Sequence, residues 1–178
     1  REVGIPCWGP EKQSAQLEAS KEFAKKFMVK HGIPTGSAVA TSSADEARAA
    51  ITRYPVVLKF DGLAAGKGVV ICEDAAQADE FLEEVFVKKR FGDGRVLVEE
   101  HLTGPEVSIF VSVVDNAYHI LTPARDYKRI GDNDEGPNTG GMGAVASMQL
   151  IDYSVLATIE STIVKPTVEA LQADGLPY

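Results

Sequence analysis

Two lysines beside a glycine-rich segment are the first residues in the sequence whose types and spacing suggest chemistry. Lys59 follows the apolar residues 56–58, and Lys67 lies within the segment LAAGKGV at 63–69. Ammonium groups and consecutive backbone N–H groups both bind phosphate oxygens, so these residues could hold a polyphosphate. A solvated hairpin tip with two surface lysines is the alternative. The phosphate site is favoured because lysine rarely closes an apolar run without a partner.

The glycine-rich segment does not match a P-loop. That pattern requires four residues between its glycines and a Ser or Thr after the lysine, whereas three residues separate Gly62 from Gly66 and Gly68 takes the place of the hydroxyl. The segment also joins a strand predicted at 56–58 to one predicted at 69–71, whereas a P-loop joins a strand to a helix. We therefore predict a hairpin whose tip forms a flexible lid.

Acidic residues follow the next predicted strand. Glu99 and Glu100 end the strand at 95–100, and Glu106 comes after a turn at 103–105 that returns the chain toward them. Carboxylates accept hydrogen bonds from amino groups and ribose hydroxyls, and the backbone of a hinge can bind an adenine edge. An ordinary acidic strand end is the alternative, and the spacing alone does not exclude it.

A polar, glycine-rich segment at 126–144 has almost no hydrophobic periodicity and is predicted to be a long functional loop. It contains GPNTGGMG at 136–143. Basic side chains and a glycine nest could hold an anionic substrate, and polar side chains could orient it. The alternative is a disordered acidic loop. The candidate side chains are Asp126, Lys128, Arg129, Asn138 and Thr139.

Apolar periodicity and capping residues predict an α+β chain around these segments. Helices are predicted at 14–31, from Ser43 to 53, from Asp74 through 86, and from Asp152 to 173 with a kink at Pro166; strands are predicted at 56–58, 69–71, 95–100, 106–114 and 117–124. A hinge is expected near 101–105. Lys21, at the edge of the first helix, would by itself be a surface lysine.

Composition limits the function classes. The chain has 178 residues, 44% hydrophobic and 25% charged, with a net charge of −8; this acidity argues against nucleic-acid binding. Cys7 and Cys72 are too few for a disulfide framework, which favours a reducing cytoplasm, and no His or Cys cluster has metal-ligand spacing. No apolar run approaches a membrane span, so a soluble protein is expected. The chain reads as incomplete at both ends.

The motifs LKFDGLAAGKGV at 58–69, EEHLTGPEVS at 99–108 and DYKRIGDNDEGPNTGGMGA at 126–144 together resemble the glycinamide ribonucleotide synthetase family, also called phosphoribosylamine-glycine ligases, of the ATP-grasp superfamily. The resemblance implies an ATP-grasp fold, α+β, with nucleotide between two subdomains and incomplete at both ends. Residues 1–34 would be a linker and the first helix, 35–100 the small subdomain with the glycine-rich lid, and 101–178 part of the larger subdomain.

The resemblance also implies a reaction. Such an enzyme joins glycine to 5-phosphoribosylamine through glycyl phosphate and yields glycinamide ribonucleotide, ADP and phosphate in purine biosynthesis. It uses ATP and Mg²⁺, whose ligands are expected beyond Tyr178, so no metal ligand is assigned here. The alternatives are another ATP-grasp carboxylate-amine ligase, which GPNTGGMG argues against, and a nucleotide-binding fragment without turnover.

Site residues follow from the same resemblance. ATP would be bound by Lys21, Lys59, Gly66, Lys67, Glu99, Glu100, His101, Leu102, Glu106, Arg129 and Asn138. Of these, Lys67 and Arg129 would stabilise the transferring phosphoryl group. Glycine and phosphoribosylamine would be bound by Asp126, Lys128, Thr139, Gly140, Gly141 and Met142. The chain departs from the family at 145–147, where Val-Ala-Ser replaces Tyr-Ser-Pro, and at Phe60, where the family has a small residue.

Overall fold

The structure is a computed structural model that describes residues 4–5, 9–62, 64, 67–114, 117–176 and 178, without the side chains of residues 134, 137 and 138. The helices are α1 (Gln16–Ala19), α2 (Lys21–Lys30), α3 (Ala44–Ala50), α4 (Ala75–Leu82), α5 (Tyr153–Ile159) and α6 (Lys165–Ala173). The strands are β1 (Ala38–Thr41), β2 (Val56–Asp61), β3 (Val69–Cys72), β4 (Arg95–Glu100), β5 (Val111–Val114), β6 (Ala117–Ile120), β7 (Ala124–Gly131) and β8 (Glu135–Ala146). In these parts of the chain, no helix is long and apolar enough to cross a membrane.

An antiparallel sheet with the strand order β1-β4-β2-β3 forms the best-packed layer of the molecule. Alternate residues of β2 and β4 point to one face, where Leu58, Phe60 and Val96 pack against α3 and α4. Leu58 and Val96 are fully buried. Because the strand period is two, Lys59 and Glu99 must point to the other face, toward α2.

Helix α2 contacts two layers. Its apolar side, with Phe27, packs with Ile33 and with Leu171 of α6 in a second buried cluster. Its polar side faces the sheet, where Lys25 approaches Glu99. The helix therefore connects the charged face of the sheet to the C-terminal helix.

The helix predicted at 14–31 is broken. Ser20 is extended (φ −129°, ψ 116°), and its Oγ accepts a hydrogen bond from Phe23 N and so caps α2. The prediction of one continuous helix was wrong because periodicity alone does not reveal that a serine forms a new cap.

The two capping predictions in the sheet layer are confirmed. Ser43 Oγ accepts from Glu46 N at 3.2 Å, and Asp74 Oδ1 accepts from Gln77 N at 2.9 Å. Helix α3 nevertheless ends at Ala50 rather than at 53, since Ile51 is already extended. Strand β2 runs past Lys59 to Asp61, so Lys59 lies inside the strand and not at its end.

The segment at 126–144 is not a loop. Most of it belongs to β7 and β8, which pair antiparallel from Ala124 opposite Ala146 to Gly131 opposite Glu135, with irregular register around Arg129. Antiparallel pairing uses backbone groups, so residues without apolar alternation can still form a ladder. The strands predicted at 106–114 and 117–124 are shorter, at Val111–Val114 and Ala117–Ile120; they pair antiparallel, and the residues that join them lie outside the described ranges.

The C-terminal helix contains a π-helical turn at Glu160–Val164 that separates α5 from α6. Lys165 N donates to Glu160 O across this wider turn. Pro166 lies at the start of α6, where its missing N–H is tolerated. Asp152 stands at the predicted N-cap of α5, but its side chain accepts no capping hydrogen bond.

Candidate functional site

A buried carboxylate between two lysines marks the centre of the candidate site. Val57 lies opposite Glu99 and Lys59 opposite Leu97, so Lys59 and Glu99 are diagonal neighbours on one sheet face. Lys59 Nζ lies 3.0 Å from Glu99 Oε2, and Lys25 Nζ lies 3.1 Å from Oε1. Glu99 is only 8% exposed, and the two ammonium groups offset the cost of burying its charge.

One carboxylate oxygen of Glu99 can accept a further hydrogen bond. Oε2 is buried and, among the described residues, has no hydrogen-bond partner. Lys59 lies close enough for an ion pair, but its direction does not satisfy a hydrogen bond. Because buried polar atoms are nearly always hydrogen-bonded, this oxygen is suited to accept a donor from a ligand.

Lys25 was missed by the sequence predictions. Its ammonium nitrogen lies 2.7 Å from Thr35 Oγ1 and 2.8 Å from Gly36 O, in addition to Glu99 Oε1. Lys25 follows Lys21 by one helical turn, so the two project from the same side of α2. The four-residue spacing from Lys21 could have indicated that Lys25 faces the same site. It could not have indicated the contact with Glu99, which lies far along the chain.

The base of the glycine-rich segment is tied to the N-terminus of α2. Asp61 accepts hydrogen bonds from Lys21 N at 2.6 Å, from Glu22 N at 3.3 Å and from Ser20 Oγ at 3.0 Å. Lys21 Nζ donates to Gly62 O at 3.1 Å. A carboxylate at this position complements the unpaired N–H groups and the dipole of the helix. Asp61 is the second residue that the sequence predictions missed.

The described part of the glycine-rich segment is closely packed at its ends. A Cβ at Gly68 would lie 2.6 Å from that of Ala64, and Gly68 O accepts from Phe60 N at 2.7 Å. Gly66 lies outside the described residues. Lys67 is exposed, and its side chain makes no hydrogen bond or ion pair with the residues that the structure describes. The lysine predicted to meet phosphate is therefore accessible.

Glu99 and Glu100 point to opposite faces, as strand alternation requires. Glu100 Oε1 accepts from Ser37 N at 2.9 Å, and this hydrogen bond lowers the pKa of the Glu100 carboxyl, with a smaller effect from Arg53. The two acids therefore do not form the carboxylate pair that their adjacency suggested. The predicted site residues after the strand, His101 and Leu102, lie beyond its last residue, and Leu102 is exposed.

The remaining acid of this group, Glu106, lies close to the start of β7. Its backbone oxygen accepts from Arg125 Nε at 3.0 Å. Its carboxylate makes no hydrogen bond or ion pair within the described ranges and is exposed. Glu106 is therefore available to a ligand, although it does not contact Glu99.

The predicted substrate residues come together on the β7–β8 ribbon. Lys128 Nζ lies 3.0 Å from Asp126 Oδ2, and this contact lowers the pKa of the Asp126 carboxyl. Thr139 Oγ1 donates to Lys128 O at 2.8 Å and accepts from Gly141 N at 3.0 Å. The other predicted residues of the ribbon are Arg129, which pairs with Asn138 in the ladder, and Gly140 and Met142, which are exposed.

The two groups of candidate residues are separate in the described structure. Across the described ranges, no hydrogen bond or ion pair joins the ribbon to the pair of Lys59 and Glu99. Those ranges also contain no group of three or more His, Cys, Asp or Glu that could hold a metal ion. A cavity of about 460 Å³ between β6 and α5, which includes Tyr118 and Glu160, contains none of the predicted site residues.

Comparisons with known proteins agree on one family. The family model described as phosphoribosylglycinamide synthetase, ATP-grasp (A) domain, matches residues 19–178. A phosphoribosylamine–glycine ligase of Streptococcus pneumoniae serotype 4 is 45% identical over 99% of this chain and 43% of its own length. The chain thus spans less than half the length of that relative.

Solved structures agree with the sequence relatives. The crystal structure of a phosphoribosylamine–glycine ligase from Thermotoga maritima has a TM-score of 0.84 and 36% identity, and the match covers 96% of this chain and 44% of that one. An L-amino acid ligase from Bacillus licheniformis, at 20% identity and a TM-score of 0.69, shares the fold; its match covers 96% of this chain and 40% of that one. The predicted α+β ATP-grasp fold is confirmed, and this chain belongs to the phosphoribosylglycinamide synthetase ATP-grasp domain family.

Proposed function

We propose that the protein carrying this chain is an ATP-dependent ligase that joins glycine to 5-phosphoribosylamine and forms glycinamide ribonucleotide, ADP and phosphate. The observation that carries the proposal is the 45% identity to a phosphoribosylamine–glycine ligase across 99% of this chain. That range includes the strands that hold Lys59 and Glu99 and the ribbon that holds GPNTGGMG.

Adenine is proposed to bind at the end of β4. The buried Oε2 of Glu99 would accept a hydrogen bond from the 6-amino group, which supplies the missing donor. The backbone from Glu100 to Leu102 would contact the remaining adenine edge, and the exposed carboxylate of Glu106 would accept from the ribose. In this arrangement residues 35–100 act as the small subdomain, 101–178 as part of the larger one, and 1–34 as a linker with the first helix.

The phosphates are proposed to lie between the sheet and the glycine-rich lid. Lys59 is half-buried, and its ammonium makes no hydrogen bond with the described residues, so its donors are available to phosphate oxygens. Lys21 already holds the base of the lid through Gly62 O and would contact the nucleotide from there. Lys67, Gly66, Arg129 and Asn138 would complete the phosphate contacts.

Glycine and phosphoribosylamine are proposed to bind along the ribbon. The carboxylate of Asp126 suits an amino group, and the ammonium of Lys128 suits a carboxylate or a phosphate. Thr139 fixes the adjacent backbone through its hydrogen bonds to Lys128 O and Gly141 N. Gly140 and Gly141 leave room for close approach, since a Cβ at either would meet nothing within 4 Å. Met142 would line the same pocket.

The chemistry requires no protein nucleophile. ATP supplies the phosphoryl group that activates the glycine carboxylate as an acyl phosphate, and the amine of phosphoribosylamine then displaces phosphate. The chain's own contribution is to align the reactants and to neutralise developing charge through Lys67 and Arg129. A lid closed over the site would keep water from the acyl phosphate.

Magnesium is proposed as the metal that accompanies ATP. The described residues offer no cluster of carboxylates for it, so no step here depends on a metal ligand of this chain. We also propose a cytoplasmic location. The buried free thiol of Cys72 is compatible with a reducing compartment.

Phosphate release from the natural full-length polypeptide tests the proposal. Rapid release is expected only when ATP, glycine and phosphoribosylamine, formed in situ from ribose 5-phosphate and ammonia, are all present. Omission of glycine serves as the control. ATP hydrolysis that glycine does not change would overturn the assignment, and ATP binding without any turnover would favour a nucleotide-binding module.

A further inference from the structure

We propose that Lys25 is a positioning residue for nucleobase recognition: it holds one oxygen of Glu99 so that the other faces the ligand as a fixed hydrogen-bond acceptor. The inference rests on the proposed binding of adenine at Glu99. It adds a residue that contacts no ligand itself and whose effect is on the choice between nucleobases.

The ammonium of Lys25 is occupied by the protein. Its nitrogen lies within 3.1 Å of three oxygens, namely Thr35 Oγ1, Gly36 O and Glu99 Oε1. Thr35 Oγ1 and Gly36 O accept hydrogen bonds from it, which uses two of its three N–H donors, and Glu99 Oε1 forms an ion pair with it. Its side chain is 15% exposed, less than the 27% of Lys59. Lys25 therefore acts on the protein rather than on a ligand.

Lys59 has the opposite character. Like Lys25, it forms an ion pair with Glu99, at 3.0 Å from Oε2, but it makes no hydrogen bond with the described residues, whereas Lys25 makes two. Two lysines on one carboxylate thus have different roles. Lys25 fixes its orientation, and Lys59 keeps its donors available for phosphate.

The contacts of Lys25 join two segments of the chain, the residues before β1 and the end of β4. Thr35 and Gly36 lie directly before β1, which pairs with β4 at Ala38 opposite Glu99. Gly36 lies beside Glu99 Oε1, since a Cβ there would be in van der Waals contact with that oxygen at 3.4 Å. With Oε1 held there, a rotation of the carboxylate that exchanges Oε1 and Oε2 would break the ion pair with Lys25.

A fixed acceptor discriminates between bases. ATP presents an amino group at position 6, whereas inosine triphosphate presents a carbonyl oxygen that a carboxylate repels. If Glu99 were free to rotate, it could turn away from the carbonyl and the penalty would fall. Loss of Lys25 should therefore weaken ATP binding and leave inosine triphosphate binding unchanged or stronger.

Calorimetric titration of the natural polypeptide with ATP and with inosine triphosphate tests this inference. The unmodified protein is expected to prefer ATP by at least about ten-fold, the effect of one charge-assisted hydrogen bond. Lys25→Met is expected to reduce this preference by about five-fold or more, within the same energy range. Lys26→Met is the matched control, because Lys26 is exposed and pairs with Glu22 instead of Glu99; its preference should be unchanged.

A second variant covers the case in which Lys25→Met does not fold. Thr35→Val removes one oxygen partner and keeps both lysines, so a smaller loss of preference is expected. A folded Lys25→Met or Thr35→Val protein that keeps the full preference overturns the inference, as does an equal loss of affinity for both nucleotides. If the unmodified protein does not prefer ATP over inosine triphosphate, the proposed adenine site itself is overturned.

Discussion

The sheet layer and the β7–β8 ribbon hold their candidate residues in different ways. In the sheet, Lys59 and Glu99 stand on strands whose opposite face is buried against α3 and α4. In the ribbon, Asp126 and Lys128 stand on a two-stranded pair whose neighbours Ile130 and Val145 are more than half or about half exposed. Two strands alone are marginally stable, whereas a sheet with a covered face is stable in itself.

This difference implies different degrees of preorganisation. Side chains over a packed core keep their geometry before a ligand arrives, which lowers the entropy cost of binding. Side chains on an exposed ribbon depend on local hydrogen bonds such as that from Thr139 to Lys128 O. The fold therefore fixes Lys59 and Glu99 more strongly than it fixes the side chains of the ribbon.

A core truncation should give the largest contrast between the two regions. Leu58 is fully buried in β2, and Leu58→Ala is expected to lower the free energy of unfolding by about 3 kcal/mol through lost burial and a cavity. Val145→Ala on the half-exposed ribbon is the control, with an expected change below about 0.5 kcal/mol. Urea unfolding measures both. Equal losses would contradict the distinction.

The capping role of Asp61 should give the next effect. Asp61→Asn keeps the size but removes the charge that faces Lys21 N and Glu22 N, and a loss of about 1 kcal/mol is expected from the weaker cap and dipole interaction. Asp45→Asn in the first turn of α3 is the control, because its carboxylate is 95% exposed. The comparison is made by thermal unfolding, and an equal or larger loss in Asp45→Asn would rule out a specific cap.

The sequence predicted three strands of the sheet layer, β2, β3 and β4, because their signals are local, but it did not predict β1. Ser43 and Asp74 each cap a helix through a hydrogen bond to the residue three positions later. The apolar residues before Lys59 favour a strand by their own composition. The break at Ser20 was not predictable in the same way, because the hydroxyl that caps α2 also binds Asp61, 41 residues away. Local patterns do not contain such partners.

The ribbon and Lys25 were missed for related physical reasons. Strand prediction relies on apolar alternation, and glycines at 136, 140, 141 and 143 have no side chain to alternate. Lys25 finds Glu99 only after β1, β2 and β4 have paired. Strand alternation alone predicts that Glu99 and Glu100 point to opposite faces. The burial of Glu99 Oε2, in contrast, could not be predicted, because it depends on the folded sheet.

Two hydroxyl groups test the comparison at the level of a single hydrogen bond. Thr41 Oγ1 donates to Val96 O at 2.9 Å in the buried sheet, and Thr139 Oγ1 donates to Lys128 O at 2.8 Å on the ribbon. Thr41→Val is expected to cost about 1 kcal/mol, since it removes a hydrogen bond in the buried sheet. Thr139→Val should stay within about 0.5 kcal/mol because water can replace the hydroxyl. Urea unfolding of both variants measures this, and a reversed order would refute it.

Asp174 should give the smallest effect, and it tests whether α2 is fixed to α6 by charge. Lys30 first, and then His31, hold the pKa of Asp174 below its ordinary value. A carboxyl with a lowered pKa in the folded state stabilises above the unfolded pKa of about 3.9, and this stabilisation is lost as pH falls through the folded value. The melting temperature of Asp174→Asn should therefore be lower at pH 6 and approach that of the unmodified chain at pH 3.

Asp152→Asn is the matched control for that titration, because the Asp152 side chain caps nothing in α5. Its melting temperature should follow that of the unmodified chain across the same range. The difference between the two variants isolates the contact of α2 with α6, since both substitutions remove one carboxylate from a helix end. If Asp174→Asn instead lowers the melting temperature equally at pH 6 and pH 3, the apolar contacts of Phe27 and Leu171 hold these helices together and the ion pairs contribute nothing.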